Sequence, residues 1–259
     1  MGTFSIAAYD VVAGCAGVAV SSRMPSIGAL SVFARAASGA IATQALINPL
    51  LGIDGLELLR THSADETLRR LLASDPGADS RQVAIVDKYG RSAAHTGPET
   101  HPWSGHRAAP GYAVAGNMLV DMRTVDAMAE QFEATAGKPL HERLLLSLEA
   151  GQQAGGDRRG KQSAALYVNN GEPYPYLDLR VDDHPEPVAE LRRIYEVAKR
   201  ELLPFVEALP TRKNPHGRFD ELFEPPAHPI LTRAEPSPVR GAQTATPAPR
   251  RRVPPALDG

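Results

Sequence analysis

The chain has 259 residues, of which 42% are hydrophobic and 22% charged, and carries a formal net charge of −2. That length holds one large or two small domains of an ordinary globular protein. The near-neutral balance excludes a nucleic-acid binder held by a broad basic face, and there is no run of about 18 apolar residues to span a membrane. In chain order, TFSIAAYD (3–10) and AGVAVSS (16–22) are short, rich in small and β-branched residues, and separated by VVAG, which predicts two paired strands. GAIATQAL (39–46) predicts a third. GIDGLELLRTH (52–62) and SADETLRRLLASD (63–75) predict helices, the second opened by a capping box of Ser63 and Glu66. RQVAIVDKYGRSAAHTG (81–97) predicts a hairpin, and GYAVAGNML (111–119) another strand. RTVDAMAEQFEATAG and PLHERLLLSLEAGQQAGG predict two helices, stopped by glycines. KQSAALYVN and YLDLRVDD predict strands, and PVAELRRIYEVAKRELLPFVEAL a long final helix.

Contiguous hairpins imply antiparallel sheets, and helices that come in pairs argue against a doubly wound parallel fold. The expectation is an α+β protein with two antiparallel sheets flanked by helices. Several strands are apolar on both faces, as strands covered on both sides are. Residues 3–207 form the expected domain. The rest, 208–259, holds 11 of the 23 prolines and the cluster PRRRVPP. It is expected to be a largely disordered tail, with GRFDELFEPP able to dock as a short turn. The N-terminus lacks the basic and long apolar regions of a secretory signal, so a cytoplasmic location is expected. The single cysteine, Cys15, excludes an intramolecular disulfide, and its small apolar surroundings predict a core thiol rather than a reactive one.

No nucleophile elbow, phosphate loop, dinucleotide fingerprint or HExxH motif is present. His95, His101 and His106 fall in HTGPETHPWSGH, which reads as an irregular loop with no spacing that fixes metal geometry, so no metal is expected. What remains is polar residues embedded in apolar strands. Ser21, Ser22 and Arg23 end the second strand. Thr43 and Gln44 end the third, with Asn48 beyond. Asn117 ends YAVAGN, and Asp157, Arg158, Gln162 and Ser163 lie in GGDRRGKQSAAL. Structurally, Arg23 is free to pair with Asp157 or Asp178 and the others to close turns. Chemically, Thr3 offers a second role. An N-terminal threonine attacks a carbonyl with its hydroxyl while its own α-amine, of pKa about 7.7–8.0, takes the proton. Arg23 on the neighbouring strand is then the cation that lowers the amine pKa and stabilises an oxyanion.

The segments TFSIAAYD, GVAVSSR, GAIATQALINPLLGIDGLELL, VDKYGRSAAHTG, WSGH, GYAVAGNML, AGGDRRGKQSAALYV and DLRVDDHPEPVAELRRI together resemble the DUF1028 family, over about residues 3–200. The family is assigned to the N-terminal nucleophile (Ntn) hydrolases. The resemblance implies a four-layer αββα sandwich and cleavage of an amide bond in a small molecule or short peptide. It also implies no cofactor and assembly as a homo-oligomer. By position it implies Thr3 as nucleophile, with Arg23, Asn117, Asp157 and Ser163 as catalytic partners and Gln44 as a pocket residue. From their places at strand ends and in the loop before KQSAAL, Ser22, Asn48 and Arg158 are expected to line the substrate site, and Arg23, Arg158 and Arg159 are able to bind a substrate carboxylate. Members of the family commonly begin Met-Thr, whereas here Gly2 intervenes. Three explanations stand open: Gly2 is foreign to the natural chain, the Gly2–Thr3 bond is cut autocatalytically, or Thr3 stays blocked and the protein only binds a ligand or partner in the same cleft. An internal-serine hydrolase using Ser22 or Ser163 is a further alternative without a supporting strand–turn–helix context.

Overall fold

In the computed structural model, which describes residues 2–223, the elements run in the order β1 (Thr3–Asp10), β2 (Cys15–Ser22), α1 (Gly28–Ser31), β3 (Val32–Arg35), β4 (Gly39–Ala45), α2 (Pro49–Leu58) and α3 (Ala64–Ser74). Next come β5 (Arg81–Asp87), β6 (Ser92–Thr96), β7 (Gly105–Ala109), β8 (Tyr112–Asn117), α4 (Arg123–Ala134) and α5 (Leu140–Gln153). The last are β9 (Ser163–Asn169), β10 (Leu177–Val181), α6 (Pro187–Ala208) and α7 (Asp220–Phe223). One six-stranded sheet runs β10-β9-β2-β1-β8-β7 and one four-stranded sheet runs β3-β4-β5-β6. Every pairing between these strands is antiparallel. The fold is therefore mixed α+β with two antiparallel sheets, as the hairpin order required.

Side-chain alternation divides each strand between two environments. On β1, Phe4, Ile6 and Ala8 join the core beneath α4, α5 and α6, whereas Ala7 and Tyr9 face the other sheet. The apolar part of the layer between the sheets consists of eleven buried residues, eight of them alanine. The far face of the small sheet carries Ile41, Val83 and Ile85 against Leu51, Leu56, Leu68 and Leu71 of α2 and α3. Burying one such side chain contributes about 1.5–3 kcal/mol, so both helical faces are firmly anchored.

Several local expectations are corrected. The first helix expected from the sequence, α2, begins at Pro49 rather than 52, because Asn48 caps it by accepting from Leu50 N at 3.1 Å. Strand β3 and the single turn α1 had no distinct sequence signal, being short and lacking alternation. The histidine segment is not one irregular loop: His95 lies in β6, an edge strand of the small sheet, and His106 in β7, an edge strand of the large one. Cys15 opens β2 half-buried rather than fully enclosed. After α6, residues 209–223 fold back onto it, with Arg218 N donating to Ala208 O at 2.8 Å and the Phe205 and Phe219 rings 5.7 Å apart. The proline-rich stretch beyond 223 lies outside the described residues. Among those described, no helix is long and apolar enough to cross a membrane.

Candidate functional site at the N-terminal end of the first strand

The inter-sheet layer changes character at one end. Register places Thr3 opposite both Ser22 and Asn117, and Ser22 opposite Ser163. The same alternation that buries Ala7, Ala42, Ala84 and Ala115 between the sheets turns Thr3, Ser5, Gln44, Gln82 and Asn117 into the same space. All five are fully buried. Buried polar groups are tolerated only when hydrogen-bonded, and here each is.

Around the chain start, Thr3 Oγ1 donates to Ser22 Oγ at 3.0 Å, and Ser22 Oγ donates to the Gly2 carbonyl oxygen at 2.5 Å. Arg159 Nη2 donates to that same oxygen at 3.0 Å. Asp157 organises the arginine: its carboxylate accepts Arg159 Nε at 3.1 Å, Nη2 at 2.7 Å and the Arg159 backbone N at 3.0 Å. It also accepts Arg23 N at 2.9 Å. Gly2 sits directly on this carboxylate, where an added Cβ would lie 2.5–2.7 Å from the Asp157 oxygens and Cγ. No larger residue fits before Thr3 without displacing Asp157.

Beside this lies a ladder of amides bridging the sheets. Ser5 Oγ donates to Gln44 Oε1 at 2.7 Å, and Gln44 Nε2 reaches Gln82 Oε1 at 2.7 Å and Thr3 O at 3.5 Å. Asn117 Nδ2 donates to the same Gln82 oxygen at 3.0 Å. Gln82 Nε2 in turn faces Gly116 O at 2.8 Å, Thr96 Oγ1 at 2.9 Å and Gly105 O at 3.1 Å. Thr96 Oγ1 meets His106 Nδ1 at 2.8 Å. Desolvation of that ring first, and the neighbouring His95 second, push the His106 pKa down, although the residue as a whole is exposed at the edge of β7. The strands carrying the two terminal amides end in strained backbone. Ala45, after Gln44, has φ +70°, and Met118, after Asn117, has φ +50°, both in the left-handed region disfavoured for residues with a Cβ. A recess of about 80 Å³ opens there between Ala45, Leu46, His101 and Asn117.

The fold thus brings together Thr3, Ser22, Gln44, Asn117 and Asp157. Ser163 borders the group, but its hydroxyl serves the loop after β2, donating to Met24 O at 2.5 Å and accepting Ile27 N at 3.2 Å. Arg23 supplies only its backbone to Asp157. Its guanidinium turns away to Gln162 Oε1 at 2.5 Å, and neither Asp157 nor Asp178 pairs with it, since these hold Arg159 and Arg180. Arg158 is exposed, tied by its backbone N to Met118 O at 3.0 Å. Asn48 stands apart, capping α2 and donating to Asp75 at 3.3 Å. Arg159, expected only as one of three arginines able to bind a substrate carboxylate, is the one whose guanidinium reaches the chain start. Gln82 is the central residue that sequence reasoning missed, although it carries the same signal as Gln44, a polar side chain inside an apolar strand. Among the described residues no cluster of histidine, cysteine or acidic side chains could hold a metal ion.

These features define a mixed α+β protein of two stacked antiparallel sheets, with a buried polar site at the N-terminal end of its first strand. The chain belongs to the family of unknown function DUF1028, whose pattern matches residues 3–191. It is similar to a solved structure of the same family, the crystal structure of protein SPO2555 from Silicibacter pomeroyi. The two share 28% identity over 84% of this chain and 99% of that one, with a TM-score of 0.76. No curated protein matches the chain.

Proposed function

We propose that this chain is an amide-bond hydrolase of the N-terminal nucleophile type, a four-layer αββα sandwich of residues 3–207. In this reading Thr3 becomes the nucleophile once Met1 and Gly2 are removed, and the substrate is a small-molecule or short-peptide amide. The observation that carries the reading is the double hold on the Gly2 carbonyl oxygen, by Ser22 Oγ and the Arg159 guanidinium. Donors aimed at a carbonyl oxygen next to a hydroxyl are what acyl transfer requires, because negative charge grows on that oxygen in the transition state.

The first turnover is then on the chain itself. Thr3 Oγ1 attacks the Gly2 carbonyl carbon, and its proton passes along the existing bond to Ser22, which protonates the Gly2 oxygen. As the intermediate collapses, the proton on the former Gly2 oxygen moves to the Thr3 nitrogen, the C=O re-forms and the C–N bond breaks, leaving an ester on Thr3 Oγ1 with a free Thr3 amine; water then hydrolyses the ester, releasing Gly2 as its carboxylic acid and restoring the Thr3 hydroxyl. In later turnovers a substrate carbonyl takes the place of Gly2, with the same two donors on its oxygen and the Thr3 amine as base. Arg159 takes the role first expected of Arg23, as the cation beside the reacting carbonyl, and Asp157 is a positioning residue that holds it.

The test is the intact mass of the protein expressed from its own start codon. The expected result is a chain beginning at Thr3, with Thr3→Ala retaining Gly2 and losing hydrolysis of a panel of N-acyl amino acids and short peptides. Full amidase activity in a chain that keeps Gly2 refutes the reading. A second reading is favoured by the burial of Thr3, 1% exposed with Gly2 seated above it. In it, the chain end stays intact and the protein binds a ligand without catalysis. It requires Gly2 to be retained and Thr3→Ala to leave ligand affinity unchanged.

A further inference from the structure

The six-stranded sheet is wider than the four-stranded sheet stacked on it. Strand β3, the outer strand of the small sheet, lies over β2 and β9, so β10 has no strand opposite it. The inner face of β9 and β10 is left as the floor of a cleft of about 620 Å³, walled by α1 and β3 on one side and by the turn at 171–173 with Arg212 on the other. That volume falls within the range of small-molecule sites, about 300–1,000 Å³. Thr3 and the residues bonded to Gly2 take no part in the cleft, so ligand binding there is independent of the proposed hydrolase.

The lining pairs apolar surface with hydrogen-bond donors. Phe33 and Leu56 supply the first, and Arg35, Arg180, Arg212 and Tyr167 the second. Arg180 is fixed: Nε and Nη2 bond the two Asp178 oxygens at 2.7 and 2.8 Å, and its stem lies against Gly28, where an added Cβ would stand 3.5 Å from Arg180 Cγ. Among the described residues its Nη1 has no partner, and Arg35 engages Glu57 through Nη1 alone. Among the described residues, the Arg212 guanidinium and the Tyr167 hydroxyl have no hydrogen-bond partner. Burial first, and the Asp178 charge second, raise the Tyr167 pKa, so its hydroxyl remains a donor at neutral pH. Glu172, the acidic residue on the wall, accepts Arg212 N at 3.4 Å.

We propose that this cleft binds a small organic anion, its carboxylate or phosphate held by Arg180, Arg212 and Tyr167 and its planar apolar body lying on Phe33 and Leu56. Guanidinium forks match both oxyanions geometrically. Because Asp178, Glu57 and Glu172 offset most of the local positive charge, the affinity rests on directed donors and apolar contact rather than on a long-range field.

The test is a titration of the full chain, monitored residue by residue by amide NMR, with inorganic phosphate, phenyl phosphate and benzoate, and with benzyl alcohol as the neutral control. Phenyl phosphate, benzoate or both are expected to give saturable shifts at the residues of β3, β9 and β10 that line the cleft, and benzyl alcohol none. The tighter of the two identifies phosphate or carboxylate as the recognised group. Arg212→Gln and Tyr167→Phe, one an exposed residue and the other a conservative change, are each expected to weaken that binding about tenfold, as for the loss of one hydrogen bond to a charged group. Three results overturn the proposal: no saturable shift in the cleft from either aromatic anion at about 10 mM, far above the concentration a millimolar site needs; binding of inorganic phosphate or of benzyl alcohol as tight as that of the tighter aromatic anion; or unchanged affinity in both variants.

Discussion

Replacing Gln82 by methionine removes the hub of the amide ladder while keeping its length and volume. Gln82 is fully buried, and its oxygen is the shared acceptor of Gln44 Nε2 and Asn117 Nδ2. Its nitrogen shares two hydrogens among Gly116 O, Thr96 Oγ1 and Gly105 O. In Gln82→Met, the Asn117 amide loses its bond, Gln44 Nε2 keeps only the long 3.5 Å contact to Thr3 O, and the buried Gly116 carbonyl loses this donor. Each stranded group costs about 1–3 kcal/mol. Local relaxation and the apolar surface gained by the thioether offset part of the sum, leaving an expected loss of about 3–5 kcal/mol. Against a total stability of about 5–15 kcal/mol for a domain, that is a large shift in urea midpoint, read by circular dichroism at unchanged slope. The double variant Gln44→Met, Gln82→Met removes donor and acceptor together, and is expected to fall short of the summed single losses by about 1 kcal/mol or more. A single-variant loss below about 1 kcal/mol, or strict additivity, would refute the view that the ladder residues depend on one another for their hydrogen bonds.

Three further outcomes are expected. Arg159→Met leaves the Asp157 carboxylate, 1% exposed, without its cation. It should lower stability by about 2–3 kcal/mol in urea unfolding, the low end for a broken buried pair because Arg159 is partly solvated; on the hydrolase reading it should also leave Gly2 attached by mass. Gly39→Ala places a Cβ 2.1 Å from Val86 O at φ +149°, so strain and overlap together should lower the thermal midpoint by the equivalent of about 2 kcal/mol or more. The Arg81 side chain above all, then Gly77 N–H and Asn48, hold the Asp75 pKa down, from 3.8 to about 2. A depressed carboxylate stabilises the folded state above its unfolded pKa and loses that contribution as pH falls through the folded one. Thermal midpoints should therefore fall between about pH 4 and 2 in the parent chain, and Asp75→Asn should flatten that part of the curve.

Legibility in the sequence tracked the strength of local patterns. The paired strands TFSIAAYD and AGVAVSS and the Ser63 cap of α3 were readable, because each is specified within a few residues, although Glu66 completes no capping box and turns its carboxylate to Arg69 and Arg70 instead. Strand β3 was not, since four residues of VFAR carry no alternation and are held in place by β4 on one side and by the stacked sheet beneath. The site was legible as a kind of residue, polar side chains in otherwise apolar strands, which is how Ser22, Gln44 and Asn117 were singled out. Their partners were not. Arg23 and Arg159 are equally charged and equally near Asp157 in expectation. The path of the backbone after β2 turns the first guanidinium toward Gln162 and leaves the second over Gly2.

By itself the sequence determined an antiparallel mixed α+β domain with alanine-rich strands, and a threonine at the head of the first of them. These features arise from side-chain size, turn chemistry and period, which act locally. Only the tertiary structure decided that polar residues of β1, β2, β4, β5 and β8 meet at one end of the inter-sheet layer, that Arg159 and Ser22 share the Gly2 carbonyl, and that the wider sheet leaves an arginine-lined cleft beside β3. Those depend on register and on the offset of one sheet over another. Both are set by the sum of many weak contacts across the layer, and no short stretch of chain encodes them.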